Sequence, residues 1–154
     1  MGPRGRAGGG SQPFRRRALT TSPPRLVVVD DDSALAEELA GLFTDVGYEV
    51  AGVASGAEEG IELVGCSRPD VVVMDFRMEG MTGTEAAEVL HREHPEVGVV
   101  LLSAYADESI VQAAMAAKVA AYLVKGCPAV ELLATVENVA MQRRAASGRG
   151  TGLS

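Results

Sequence analysis

The sequence predicts an α/β domain: five short parallel strands, each followed by a helix, with helices on both faces of the sheet. Three observations predict it. Short apolar runs rich in β-branched residues alternate with longer segments that are apolar along one side. That strand-helix unit recurs five times from Leu26 onward. Several of the runs are apolar at every position, the pattern of a strand buried on both faces.

The elements follow in order. "LVVVD" is the first strand, and "SALAEELAGLFTDVG" the first helix, with Ser33 as its expected N-cap and Gly47 as its stop. Leu35, Leu39, Leu42, Phe43 and Val46 mark its apolar face. "YEVAGVA" is the second strand, and "GAEEGIELVGC" a weaker helix, softened by Gly60 and Gly65. Pro69 and Asp70 introduce the third strand, residues 71–74. "TGTEAAEVLHREHP" is the third helix, ended by Pro95, with His91 and His94 expected in solvent at its end. "VGVVLLS" is the fourth strand, and the Ala-rich "DESIVQAAMAAKV" the fourth helix. "AAYLVK" is the fifth strand, and "PAVELLATVENVAMQRRA" the last helix, with Pro128 in a permitted first-turn position.

Composition narrows the function. The chain has 154 residues, 47% of them hydrophobic and only 4% aromatic, so Val, Leu and Ala must fill one ordinary core. No apolar run approaches the roughly 20 residues that span a bilayer, and a soluble protein is expected. Six of the 14 basic residues and none of the 21 acidic ones fall within residues 1–25. The remainder therefore carries eight basic residues against 21 acidic ones, a formal charge of −13. Such a body repels a phosphate backbone and attracts cations and basic partners, which disfavours nucleic acid. Residues 1–24, rich in Gly, Pro, Arg and Ser, are expected to form a disordered basic tail, and residues 145–154 a frayed end. Cys66 and Cys127 form no CxxC pair and read as free thiols.

In open parallel sheets, ligands bind beyond the carboxyl ends of the strands. There this sequence places Asp30, Asp31 and Asp32 after the first strand, Asp75 after the third, Ser103 after the fourth and Lys125 after the fifth. Crowded carboxylates are relieved by a divalent cation, and hard oxygen ligands with open positions suit Mg²⁺. A metal beside a carboxylate and a lysine is the apparatus of phosphoryl transfer. The blander readings are that Asp75 caps a loop, that Asp32 caps a helix and that Tyr122 is a core tyrosine.

The segments "VVVDDD", "DVVVMDFRMEGMTG", "VVLLSAY" and "AAYLVK", in that order, resemble the receiver domain of two-component response regulators over residues 26–144. The resemblance implies a doubly wound, flavodoxin-like sheet of order 2-1-3-4-5. It implies that Asp75 is the phosphoacceptor. Asp30 and Asp31 would hold Mg²⁺ with Asp75 and the backbone carbonyl of Arg77, Asp31 being the more direct ligand. Ser103 would be the switch hydroxyl, Lys125 the cation paired with the phosphoryl group, and Tyr122 the switch aromatic. Beyond what the resemblance implies, the bulk of Arg77 and Tyr105, two residues after Asp75 and Ser103, is expected to flank the phosphoryl group and slow its hydrolysis. Glu79 and Gly126 stand where the family often has proline, and Glu79 is expected to modulate metal affinity or loop rigidity.

The resemblance also implies the partners: a histidine kinase or phosphotransfer protein as donor, and an output protein or second copy on the face formed by the fourth helix, fifth strand and fifth helix. It places the protein in the bacterial cytoplasm, as a phosphorylated switch and not a conventional enzyme. "AAYLVKG" and the last helix look like receivers that precede a helix-turn-helix domain. The alternatives are a phosphorylation-independent binding module or the receiver of a truncated DNA-binding regulator. A Mg²⁺-dependent phosphohydrolase is a further class, but such enzymes usually place an aspartate where Arg77 stands.

Overall fold

The structure, a computed structural model, describes residues 22–105 and 107–147. Five strands alternate with five helices: β1 (Arg25–Val29), α1 (Ser33–Asp45), β2 (Glu49–Ala54), α2 (Ala57–Ser67), β3 (Val71–Asp75), α3 (Gly83–Glu93), β4 (Gly98–Ser103), α4 (Glu108–Ala116), β5 (Ala121–Val124) and α5 (Ala129–Ser147). The strands form one parallel sheet of order β2-β1-β3-β4-β5. This is the order that the resemblance implies.

The valine runs are explained by what each face meets. Side chains alternate across a strand. Val27, Val29, Val72, Met74, Val99 and Leu101 pack with Ala57 and Val64 of α2 and Ala86, Ala87 and Leu90 of α3. Their neighbours Leu26, Val28, Val71, Val73, Val100 and Leu102 pack with Leu39 and Phe43 of α1 and Val136, Val139 and Ala140 of α5. Both faces are buried, so the central strands need no polar position until they leave the sheet. There Asp30, Asp75 and Ser103 begin the polar rim.

Several expected boundaries move. Asp32, not Ser33, caps α1: its carboxylate accepts the Leu35 N–H at 3.2 Å, while Ser33 is already helical. The short Asp side chain reaches back over the first turn, and Ser33 has no need to. The fourth helix stops at Ala116, not Val119. Lys118 takes a left-handed φ of 63°, which turns the chain so that the Ala120 N–H can join the Val99 carbonyl at 2.8 Å. The last helix continues past Ala145 to Ser147. His91 is exposed as expected, whereas His94 is half-buried; it ends α3, with Nδ1 3.9 Å from Glu96. Residues 22–24, assigned above to the tail, are placed: Arg144 of α5 donates to the Ser22 and Pro23 carbonyls at 2.6 and 3.0 Å. Residues 1–21 of the expected tail and residues 148–154 lie outside the described residues.

Candidate functional site

Each site residue is delivered by the end of a strand. Asp30 follows β1, and its N–H still bonds Ala54 of β2 at 3.0 Å, so the backbone is held as though the strand continued. Its side chain is 2% exposed. Oδ1 accepts the Asp32 N–H at 2.9 Å, and Oδ2 lies 3.3 Å from Lys125 Nζ. Oδ2 receives no hydrogen bond of good geometry, so the ammonium answers it chiefly as a charge. Asp31 is exposed.

Asp75 is the last residue of β3 and 5% exposed. Its Oδ1 is 3.1 Å from Lys125 Nζ and also accepts the Arg77 N–H at 3.4 Å. One oxygen from each of Asp30, Asp31 and Asp75 lies within 4.8 Å of the others. Burial pushes the Asp75 carboxyl above its usual range, and the charge of Asp30 adds to the rise; Lys125 opposes both without cancelling them. Partial burial works against the Lys125 charge, but the hydrogen bond and charge of Asp75, with Asp30, hold the ammonium above its ordinary value.

Lys125 is fixed by the sheet edge. Its N–H donates to the Ser103 carbonyl at 2.7 Å, and a tight turn follows in which the Cys127 N–H meets the Val124 carbonyl at 3.1 Å. Gly126 occupies that turn with φ 90°. Proline, locked near −65°, cannot adopt that conformation, which accounts for glycine here. Ser103 is 2% exposed, and its Oγ accepts the Tyr105 N–H at 3.2 Å. Tyr122 is half-buried, packs against the α2–α3 side of the core and donates its hydroxyl to the Tyr105 carbonyl. Tyr105 itself is 61% exposed. One residue therefore connects the Ser103 hydroxyl to the Tyr122 ring.

Arg77 is exposed, with its guanidinium 5.8 Å from the centroid of the Phe76 ring. Glu79 lines a shallow cavity of about 300 Å³ shared with Glu58 and Glu59, whose walls do not include Asp30, Asp31 or Asp75.

Sequence reasoning missed Gly83. Its N–H donates to the Phe76 carbonyl at 2.7 Å, closing the loop after Asp75. A Cβ there would lie 2.5 Å from the Asp75 carbonyl oxygen and 2.9 Å from Phe76 Cα, so only glycine fits without moving the acceptor's own backbone. The available signal was the glycine that opens a helix behind a threonine cap. Thr82 and Glu85 form a reciprocal capping box there, at 3.2 and 3.0 Å.

The donors suit a small divalent cation: three carboxylates, all hard oxygen ligands, with Asp31 open to solvent. A buried carboxylate flanked by a second carboxylate and an ammonium can act as a nucleophile toward phosphorus while its surroundings neutralise the incoming charge.

A family model for the response regulator receiver domain matches residues 26–137. The chain is 32% identical over 100 residues to the transcriptional regulatory protein PdtaR of Mycobacterium tuberculosis, covering 65% of this chain and 48% of that protein. It is 37% identical over 84 residues to the transcriptional regulatory protein LiaR of Bacillus subtilis, covering 54% of this chain and 40% of that protein. The chain thus spans less than half the length of these curated relatives. A CheY-like response regulator receiver domain protein from Methanospirillum hungatei superposes with a TM-score of 0.76 at 25% identity, covering 81% of this chain and 99% of that one.

Proposed function

The chain belongs to the response regulator receiver domain family, and we propose that it works as a Mg²⁺-dependent phosphoacceptor switch with Asp75 as the acceptor. One observation carries the reading: Lys125 Nζ sits 3.1 Å from Asp75 and 3.3 Å from Asp30, where three carboxylates converge. The donor is a histidine kinase or phosphotransfer protein. An Asp75 oxygen attacks the phosphorus of a phosphohistidine. The P–N bond breaks, its electron pair stays on the imidazole, and a mixed anhydride forms on Asp75. Lys125 then follows the charge from the carboxylate to the phosphoryl oxygens, and Ser103 turns its hydroxyl toward them.

Asp30, Asp31, Asp75 and the Arg77 carbonyl would hold Mg²⁺, which when bound neutralises charge on the transferring group. For Ser103 to move, its bond to the Tyr105 N–H must be given up. Tyr105 also carries the acceptor of the Tyr122 hydroxyl, so Ser103 and Tyr122 move together. The output face is that of α4, β5 and α5, where Met115 and Val130 are exposed apolar residues on the framing helices. It engages an output protein or a second copy.

The exposed Arg77 and Tyr105 side chains, two residues after Asp75 and Ser103, shield the acyl phosphate from water. Removing both in Arg77→Ala/Tyr105→Ala is expected to shorten the phosphoryl lifetime several-fold; an unchanged lifetime contradicts this part. A second reading is the receiver of a DNA-binding regulator, favoured by the greater length of relatives named transcriptional regulators. Sequence downstream of the gene decides between them.

Mg²⁺ titration by calorimetry tests the site. Asp31→Asn is expected to weaken binding at least about tenfold, the scale on which a lost ligand or its support acts. Equal affinity in wild type and variant would remove the metal from this rim.

A further inference from the structure

We propose that Phe76 is a positioning residue that pins the Arg77 side chain beside the acceptor and so sets how long an acyl phosphate on Asp75 survives. The proposal rests on the reading of Asp75 as acceptor and of Arg77 as a shield. An exposed arginine ordinarily samples many rotamers. Arg77 has a platform instead, with its guanidinium 5.8 Å from the Phe76 ring centroid, within cation–π range.

The platform is rigid. The Phe76 N–H donates to the Leu102 carbonyl at 2.8 Å, its own carbonyl accepts the Gly83 N–H at 2.7 Å, and its ring is half-buried. The two cations at this rim are thus divided. Lys125 is paired with the acceptor carboxylate, and Arg77 rests on the neighbouring ring.

The division matters for hydrolysis. A water oxygen must bond to phosphorus while the P–O bond to Asp75 breaks and returns its electron pair to the carboxylate. The water's protons leave with inorganic phosphate or to solvent. A side chain already pinned beside that path excludes water without losing further rotamer freedom, whereas a loose one must be ordered to do so. Phe76 therefore acts through Arg77.

The test loads the full chain with acetyl phosphate and Mg²⁺, removes the donor and follows loss of the phosphoryl group by intact mass. Phe76→Leu is expected to shorten the lifetime about two- to fivefold, the scale of one exposed cation–π contact, with the rate of phosphoryl uptake unchanged. Phe76→Tyr, which keeps the ring, is expected to match wild type. Phe76→Leu in an Arg77→Ala background is expected to add nothing. If Arg77→Ala shortens the lifetime and Phe76→Leu does not, the pinning is wrong while the shield stands. Equal shortening by Phe76→Leu in both backgrounds also overturns it, because Phe76 then acts by packing. If Arg77→Ala has no effect, the shield itself fails, and the pinning with it. Should Leu at position 76 prevent folding, Phe76→Met keeps similar bulk but loses the ring: a shortened lifetime supports the contact, and an unchanged one overturns it.

Discussion

Asp75 is a carboxylate held almost out of water beside a second carboxylate, with one ammonium between them. Burial and Asp30 raise its pKa, so folding disfavours the ionised form. Above the raised pKa, ionised Asp75 therefore lowers stability. The penalty fades as pH falls through that pKa, and it is gone below the ordinary carboxylate range, where folded and unfolded chains are both protonated. Asp75→Asn is accordingly expected to stabilise the metal-free domain at neutral pH, on the order of 1 kcal/mol. Chemical denaturation across pH should show the advantage shrinking in acid. A less stable Asn variant at neutral pH would mean that the Lys125 pair outweighs burial. At this scale the sequence was informative: the acids, hydroxyl and lysine were all legible as strand-end residues. The division of roles between Asp30 and Asp31 was less so. Asp30 is buried and Asp31 exposed although an oxygen of each lies within 4.8 Å of the other, and only the fold decides which is buried.

The loop between β3 and α3 is an element whose geometry is set at its far end. Gly83 returns the chain onto the Phe76 carbonyl so closely that a methyl group would strike the backbone of Asp75 and the side chain of Leu101. Gly83→Ala is expected to cost about 1–3 kcal/mol, as overpacking does, and to slow phosphoryl uptake because the displaced atoms carry the acceptor. Thermal melting and acetyl phosphate labelling together check this; unchanged labelling in a destabilised variant would confine Gly83 to packing. The helix ends show why boundaries were harder to read than cores. Helix α4 ends early because Lys118, a residue with no sequence signature of a stop, adopts the left-handed conformation that a parallel return to β5 requires. The α1 cap fell to Asp32 over Ser33 because three successive strong capping candidates precede that helix.

Across the whole molecule, valine at every strand position made a sheet covered by helices on both faces legible, since it leaves a strand no solvent face, while the strand order was implied only by the family resemblance. A polar junction at the opposite end of the sheet was not legible. Asp70, 3% exposed, accepts the Arg25 N–H at 2.8 Å and pairs with Arg144 Nε at 3.3 Å, while Arg144 also grips residues 22 and 23. These partners are separated by up to 122 positions, and nothing local joins them. Arg144→Ala is expected to cost about 2 kcal/mol by removing a cation paired with a buried carboxylate, with labelling of Asp75 unaffected at the other end of β3. A melting temperature equal to that of wild type would make the junction decorative. Among the described residues no helix is long and apolar enough to cross a membrane.

The central claim is that Asp75 takes a phosphoryl group with the help of Mg²⁺. Intact mass after incubation with acetyl phosphate, with Mg²⁺ or with chelator, on wild type and Asp75→Asn, tests it most directly. The expected result is a gain of one phosphoryl group that needs both Mg²⁺ and Asp75. No gain under any condition, or an equal gain in Asp75→Asn, would contradict it.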